Sequence, residues 1–90
     1  MEPRFDPAKD AINQDRHQLS LAFGDRLLED PRHLTIASIR PQDGEARFKL
    51  IGSVEGKLYA AVFTWRDGAR RFISVRRTNP HEERRYRDPR

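Results

Sequence analysis

Residues 57–77 constrain the fold more than any other stretch, because they read as a single β-hairpin with a defined turn. Residues 57–65 are apolar on both faces, with Leu58, Ala60 and Val62 on one side and Tyr59, Ala61 and Phe63 on the other. A strand that hides both faces belongs inside a sheet, not at its edge. Arg66-Asp67-Gly68 follows, and an Asp-Gly pair between apolar runs signals a two-residue turn. The return strand, residues 70–77, alternates. Ideal pleating points Arg71, Ile73, Val75 and Arg77 to one face and Phe72, Ser74 and Arg76 to the other. Arginines inside an alternating apolar run stand at fixed points on a folded surface, which suits gripping phosphates in a defined geometry.

The rest of the chain supplies elements for this hairpin to pack against. Asp6-Pro7 is an N-cap followed by proline at the first helical position, predicting a helix over 7–16. Ala8, Ala11 and Ile12 form its expected buried stripe, with Lys9, Asp10, Asn13 and Arg16 outside. Ser20 caps a second helix whose stripe is Leu21, Phe23, Leu27 and Leu28, weakened in the middle by Gly24 and stopped by Asp30-Pro31. The period then changes to two. Strands are expected over 33–38 and 45–53, joined by a turn at 41–44, and Glu55-Gly56 turns the second into the central strand. In the second strand Phe48 and Leu50 share one face, and Arg47, Lys49 and Ile51 the other. Asn79-Pro80-His81-Glu82 is the start of a short last helix, with Glu82 in the position of a capping box. The fold class that follows is α+β in one domain, residues 1–90. Two N-terminal helices and a short C-terminal helix pack on one face of a twisted four-stranded antiparallel sheet.

Charge is distributed unevenly. Residues 66–90 hold nine arginines against four acids, whereas residues 1–65 hold nine basic and ten acidic residues. The positive excess is therefore C-terminal and made of arginine alone, which favours bidentate recognition of phosphate or carboxylate. A 90-residue domain without cysteine has neither a disulfide framework nor a thiolate zinc site, and a partner would relieve its small core. His17, His33 and His81 lack metal-ligand spacing, and no acidic cluster suggests a magnesium site. There is no Gly-rich nucleotide loop or nucleophile elbow. No stretch reaches the ~20 apolar residues of a membrane span, and Met1–Asp6 is not the start of a signal peptide, so a cytoplasmic protein is expected.

Read in order, the motifs resemble the BrnT-type toxins of bacterial type II toxin–antitoxin systems. The opening match is Asp6-Pro7-Ala8-Lys9, then Asn13, Arg16-His17 and Asp30-Pro31. Glu45-x-Arg47, Ile51-Gly52 and Gly56-x-Leu58 continue it. Residues 71–77 and Glu82-x-Arg84-x-Tyr86 are similar to that family's Arg-Ile-Ile-Ser-Ala-Arg and Glu-Arg-x-x-Tyr signatures. The sequence departs from the pattern in its helical half. Phe5 stands alone where the family has Phe-x-Trp, Gln18 replaces the glycine after the histidine, and Leu21-Ala22-Phe23 replaces an aromatic-acidic-acidic opening. The loop before Glu45 is also shorter.

The resemblance implies a RelE-like fold and a metal-independent endoribonuclease, without cofactor, that inhibits growth. It also implies a BrnA-type ribbon-helix-helix antitoxin that masks the active surface, in a 2:2 assembly joined through the antitoxin dimer. Operator DNA would be reached only through that antitoxin. The family's polar positions carry over onto Lys9, His17, Glu45, Arg47, Thr64, Arg71, Ser74, Arg76 and Tyr86. Cleavage by the substrate's own 2′-hydroxyl needs a base, an acid and cations around the phosphorane. His17 and Glu45 are the candidates for proton transfer, and Arg71 and Arg76 for charge stabilisation. On an ideal strand Arg71 and Arg76 cannot reach one phosphate, which makes Arg47 or Arg77 the alternative second clamp unless a bulge intervenes. Lys9 would hold substrate, and Tyr86 would either pack on the sheet or stack on a base. The residues alone reach a shorter conclusion, a basic α+β domain that binds nucleic acid. The competing reading is a non-catalytic RNA- or protein-binding module.

Overall fold

The computed structural model describes residues 5–38 and 46–88. Its elements are α1 (Pro7–His17), a 3-10 turn (Leu21–Phe23), α2 (Gly24–Leu27), β1 (Leu34–Ala37), β2 (Phe48–Val54), β3 (Lys57–Arg66), β4 (Ala69–Arg77) and α3 (Pro80–Arg87). The strands form one antiparallel sheet in chain order, so the doubly apolar β3 is interior as its sequence requires. Glu55-Gly56 and Asp67-Gly68 both have positive φ, at 53° and 81° and at 54° and 79°. Two consecutive left-handed residues make the type I′ turn, whose twist matches that of the strands it joins. The expected turn at 41–44 and Glu45 lie outside the described residues. None of the described helices is long and apolar enough to cross a membrane.

One face of the sheet carries the core. Leu50, Val54, Ala61, Phe63, Phe72 and Val75 pack against Leu21 and Leu27 from the N-terminal helices. The second helix is broken, a 3-10 turn giving way to α2 at Gly24. A Cβ at Gly24 would sit 2.6 Å from the Phe72 ring, so the residue that weakens the helix is the one that lets the sheet approach.

Two expectations about the helices are overturned. The first concerns which face of α1 is buried. Ile12 is 54% exposed, and Asn13, expected outside, is 5% exposed. β4 is an edge strand, and its outward N–H and C=O groups need partners when covered. Asn13 supplies both, accepting from the Val75 N–H at 3.0 Å and donating Nδ2 to the Val75 carbonyl at 2.9 Å. The same Nδ2 donates to the Leu19 carbonyl at 2.8 Å, closing the chain after α1. A carboxamide thus stands in for a fifth strand, and α1 packs by its polar side. Asn13→Ala leaves three backbone groups without partners. Urea denaturation should show a loss of about 2 kcal/mol, with Tm lower by roughly 10 °C. A loss below ~0.5 kcal/mol would show that the edge does not depend on this amide.

The second concerns α3, which does not join the other helices. Its Glu82, 1% exposed, meets Lys49 of β2 and Arg76 of β4 on the face opposite the core. The helices therefore cover both faces of the sheet. The cap predicted α3's start correctly: Asn79 Oδ1 accepts from Glu82 N, and Glu82 Oε1 from Asn79 N, a full capping box. What the cap could not reveal is that the capping carboxylate is also a buried ion.

Candidate active site between α1 and the bulged strand

β4 does not alternate regularly. Phe63 pairs with Phe72 but Val62 pairs with Ser74, which leaves Ile73 as the extra residue of a β-bulge. The pleat changes phase there. Phe72 and Val75 both face the core, and Arg71, Ser74 and Arg76 share the opposite face, across from Thr64, Val62 and Ala60. The expectation that Arg71 and Arg76 point apart is therefore corrected by one inserted residue.

The bulge also meets α1. Lys9, Asn13 and His17 are spaced by four, so they line one side of that helix. With Asn13 anchored on Val75, Lys9, Ile12, Arg16 and His17 form one wall of a cleft of about 100 Å³, and Ile73 and Ser74 form the other. His17 is half-buried there, in the last turn of α1 beside Arg16, where the helix dipole favours positive charge. Arg71 lies three residues along β4 from Ser74, also half-buried. Among the described residues neither its guanidinium nor the Lys9 amine has a carboxylate or hydrogen-bond acceptor.

Arg76 is held differently. It grips Glu82 with both terminal nitrogens, at 2.8 and 2.7 Å, while Lys49 Nζ lies 2.8 Å from the same carboxylate. Burial alone would raise the Glu82 carboxyl. The hydrogen bonds from Arg76, Lys49 and the Asn79 N–H, with the Arg76 charge, outweigh it and bring the pKa from an ordinary 4.5 to about 2. The hydrogen bond to Glu82, opposed by burial, raises Arg76 in turn. Two cations and one anion leave this patch one net positive charge, fixed in place. The folded pKa of Glu82 is the lower one, so its stabilisation is complete above about pH 4.5 and is lost as pH falls through 2. The wild type should lose on the order of 3 kcal/mol over that window through Glu82 alone. Denaturant titrations at pH 5 and pH 2 should show a flatter dependence in Glu82→Gln. Parallel curves for the two proteins would contradict this coupling.

Other candidates are not brought to the cleft. Arg77 falls on the core side, away from the face of Arg71 and Ser74, its Nε donating to the Leu58 carbonyl at 3.0 Å and its guanidinium 5.3 Å from the Tyr59 ring centre. Thr64 is 3% exposed and donates its hydroxyl to the Ala46 carbonyl. Tyr86 packs: its hydroxyl donates to Asp30 at 2.6 Å, tying α3 to the loop after α2. Burial acts to raise the Asp30 carboxyl, but that bond and those from the Arg32 and Ser53 N–H groups hold it below the usual range. Arg47 is half-buried just before β2, and its carbonyl accepts from Ser38 N–H at 2.7 Å. Glu45 lies outside the described residues.

Sequence reasoning passed over Asn13, Arg16 and Glu82 as site-shaping residues. The available signal was spacing: an asparagine midway between Lys9 and His17 on a helix must face where they face. Among the described residues no three His, Asp or Glu side chains converge as metal ligands. One family model matches residues 5–82, all but the first four and last eight positions, and its description is the ribonuclease toxin, BrnT, of type II toxin–antitoxin systems. No curated protein matches the sequence.

Proposed function

The chain belongs to the BrnT ribonuclease toxins, and from that premise we propose that it cuts RNA without a metal ion, using the substrate's own 2′-hydroxyl. Membership of a type II system brings with it an RNA substrate and an antitoxin partner. The observation that supports the mechanism is the bulge at Ile73, which sets Ser74 across the cleft from Lys9 and His17 and turns Arg71 to the same face of β4 as Ser74.

The chemistry divides among these groups. A base takes the proton of the 2′-hydroxyl, the 2′-oxygen bonds to the adjacent phosphorus, and the bond to the 5′-oxygen breaks as an acid protonates it. The products are a 2′,3′-cyclic phosphate and a free 5′-hydroxyl. His17 and Glu45 share the two proton transfers, for which an imidazole is suited because its two ring nitrogens can donate and accept a proton. Arg71 neutralises the extra charge of the phosphorane, and its planar fork suits two equatorial oxygens. Ser74 donates a hydrogen bond to the same phosphate. Lys9 and Arg16 hold the neighbouring phosphate. Arg76, held by Glu82, adds background positive charge on the same face of the sheet as Arg71 and Ser74.

The scaffold is RelE-like, and the partner is a ribbon-helix-helix antitoxin of the BrnA type. Two toxins and two antitoxins join through the antitoxin dimer in the cytoplasm. The test uses EDTA-treated protein and an RNA in which the nucleotide on the 5′ side of a mapped cut is replaced by its 2′-deoxy form. The parent RNA should be cut to a cyclic phosphate, and the substituted one should stay intact at that position. Cleavage at the deoxy position, or activity that requires added metal, would overturn the mechanism.

A further inference from the structure

At the turn end of β3–β4 the only tryptophan of the chain, Trp65, is 48% exposed on the face that elsewhere carries the core. It is held rigidly. Trp65 pairs with Arg70 and Arg66 with Ala69 around the two-residue turn. Phe63 meets the indole edge-on at 5.6 Å and 89°. The Arg70 guanidinium lies 4.6 Å from the Trp65 ring centre and 5.3 Å from that of Phe63. Its Nε is buried with no hydrogen-bond partner among the described residues, and the guanidinium lies against both rings. Arg70 thus covers one face of the Trp65 indole with a cation and leaves the exposed remainder of the ring as a π surface, in a turn region whose other charges include Arg66, Asp67 and Arg71.

We infer that Trp65 and Arg70 form a stacking platform for an unpaired base of the RNA, outside the cleft where cleavage occurs. The inference rests on the RNA-cleaving reading and adds a substrate subsite to it. Arg70 is on the same edge strand as Ser74, three β3 positions along the ladder and so about 10 Å away at ~3.3 Å per residue, on the other face of the sheet, so a short single-stranded segment would reach it around the β4 edge. Base–aromatic stacking tolerates any base, because every base has a π face, and adjacent arginine strengthens it. A protein partner is the poorer fit. A binding hot spot sits within a well-packed apolar patch, whereas residues 66–69 around Trp65 are exposed and either polar or small. The platform therefore favours single-stranded over paired RNA without reading its sequence.

Because Trp65 is the only indole, its fluorescence reports the platform directly. A single-stranded 2′-O-methyl RNA of about ten nucleotides, which offers no 2′-hydroxyl to attack, should quench it saturably, and a duplex of the same length should not. In parallel, Trp65→Ala should raise KM for single-stranded RNA by about tenfold with kcat little changed, and Trp65→Phe should restore most of the loss. Unchanged fluorescence and unchanged KM, in a wild type that cleaves RNA, would overturn the platform and leave the cleavage reading intact. Quenching by RNA in a protein that cuts nothing would support the platform and remove that reading. Fluorescence that responds to an antitoxin but not to RNA would make this surface a protein contact and also overturn the inference.

Discussion

Arg71→Ala should lower kcat for RNA cleavage by about 10²–10³-fold while the protein keeps its fold, as loss of a transition-state charge donor does. Arg71 is half-buried beside the bulge, on the same face as Ser74, and the described residues offer it no counter-ion. With no counter-ion among the described residues, its guanidinium is the proposed donor for charge that develops only during reaction. A phosphorane carries more negative charge than the phosphodiester it forms from, so the loss should appear mainly in kcat and less in KM. Arg71→Lys keeps the charge but loses the fork, and should recover only part of the rate. Tm should stay close to that of the wild type, since no pairing among the described residues is removed. Single-turnover cleavage with saturating protein separates the chemical step from binding. A fully active Arg71→Ala protein would remove Arg71 from the site.

The largest effect on stability is expected at Glu82. Glu82→Ala leaves Arg76 and Lys49 facing each other without their shared carboxylate, and removes half of the α3 capping box. Breaking a buried ion pair from one side costs about 3–5 kcal/mol, because the partner charge stays behind. Domains of this kind have only about 5–15 kcal/mol in total, so the variant should lose a large part of its stability. Urea denaturation should show the midpoint falling with an unchanged slope. A loss below ~1 kcal/mol would mean that the two cations relax into solvent and that α3 is not held through Glu82. The capping interaction alone accounts for only about 1 kcal/mol, which separates the two explanations.

These two residues also show what the sequence could convey. The architecture was legible wherever local chemistry decides it. The double apolar face of β3, the Asp67-Gly68 and Glu55-Gly56 turns, the Asp6 and Ser20 caps and the Asn79–Glu82 box each depend on neighbours within a few residues. The site was legible as a set of residue types and only in part as an arrangement. A bulge is a property of two strands in register, and nothing near Ile73 announces it. The closest sign was that Phe72, Ile73 and Val75 fit no single alternation. The burial of Asn13 instead of Ile12 comes from an edge strand more than sixty residues away, whose backbone needs partners more than α1 needs to hide an isoleucine. Glu82 read as a cap because its cap partner is three residues away, whereas Lys49 is far along the chain. Local signals fixed the elements, and long-range hydrogen bonding and ion pairing fixed how they face one another.

The account turns on where RNA lies, and amide chemical-shift mapping reads that most directly. The labelled protein would be titrated with a 2′-O-methyl RNA that binds without being cut. Shifts should concentrate in residues 9–17 and 73–74, the two walls of the α1–β4 cleft, and at Arg71 on the same face of β4 as Ser74. Shifts confined to the arginines of α3, Arg84, Arg85 and Arg87, with α1 and the bulge unmoved, would contradict the site proposed for this toxin.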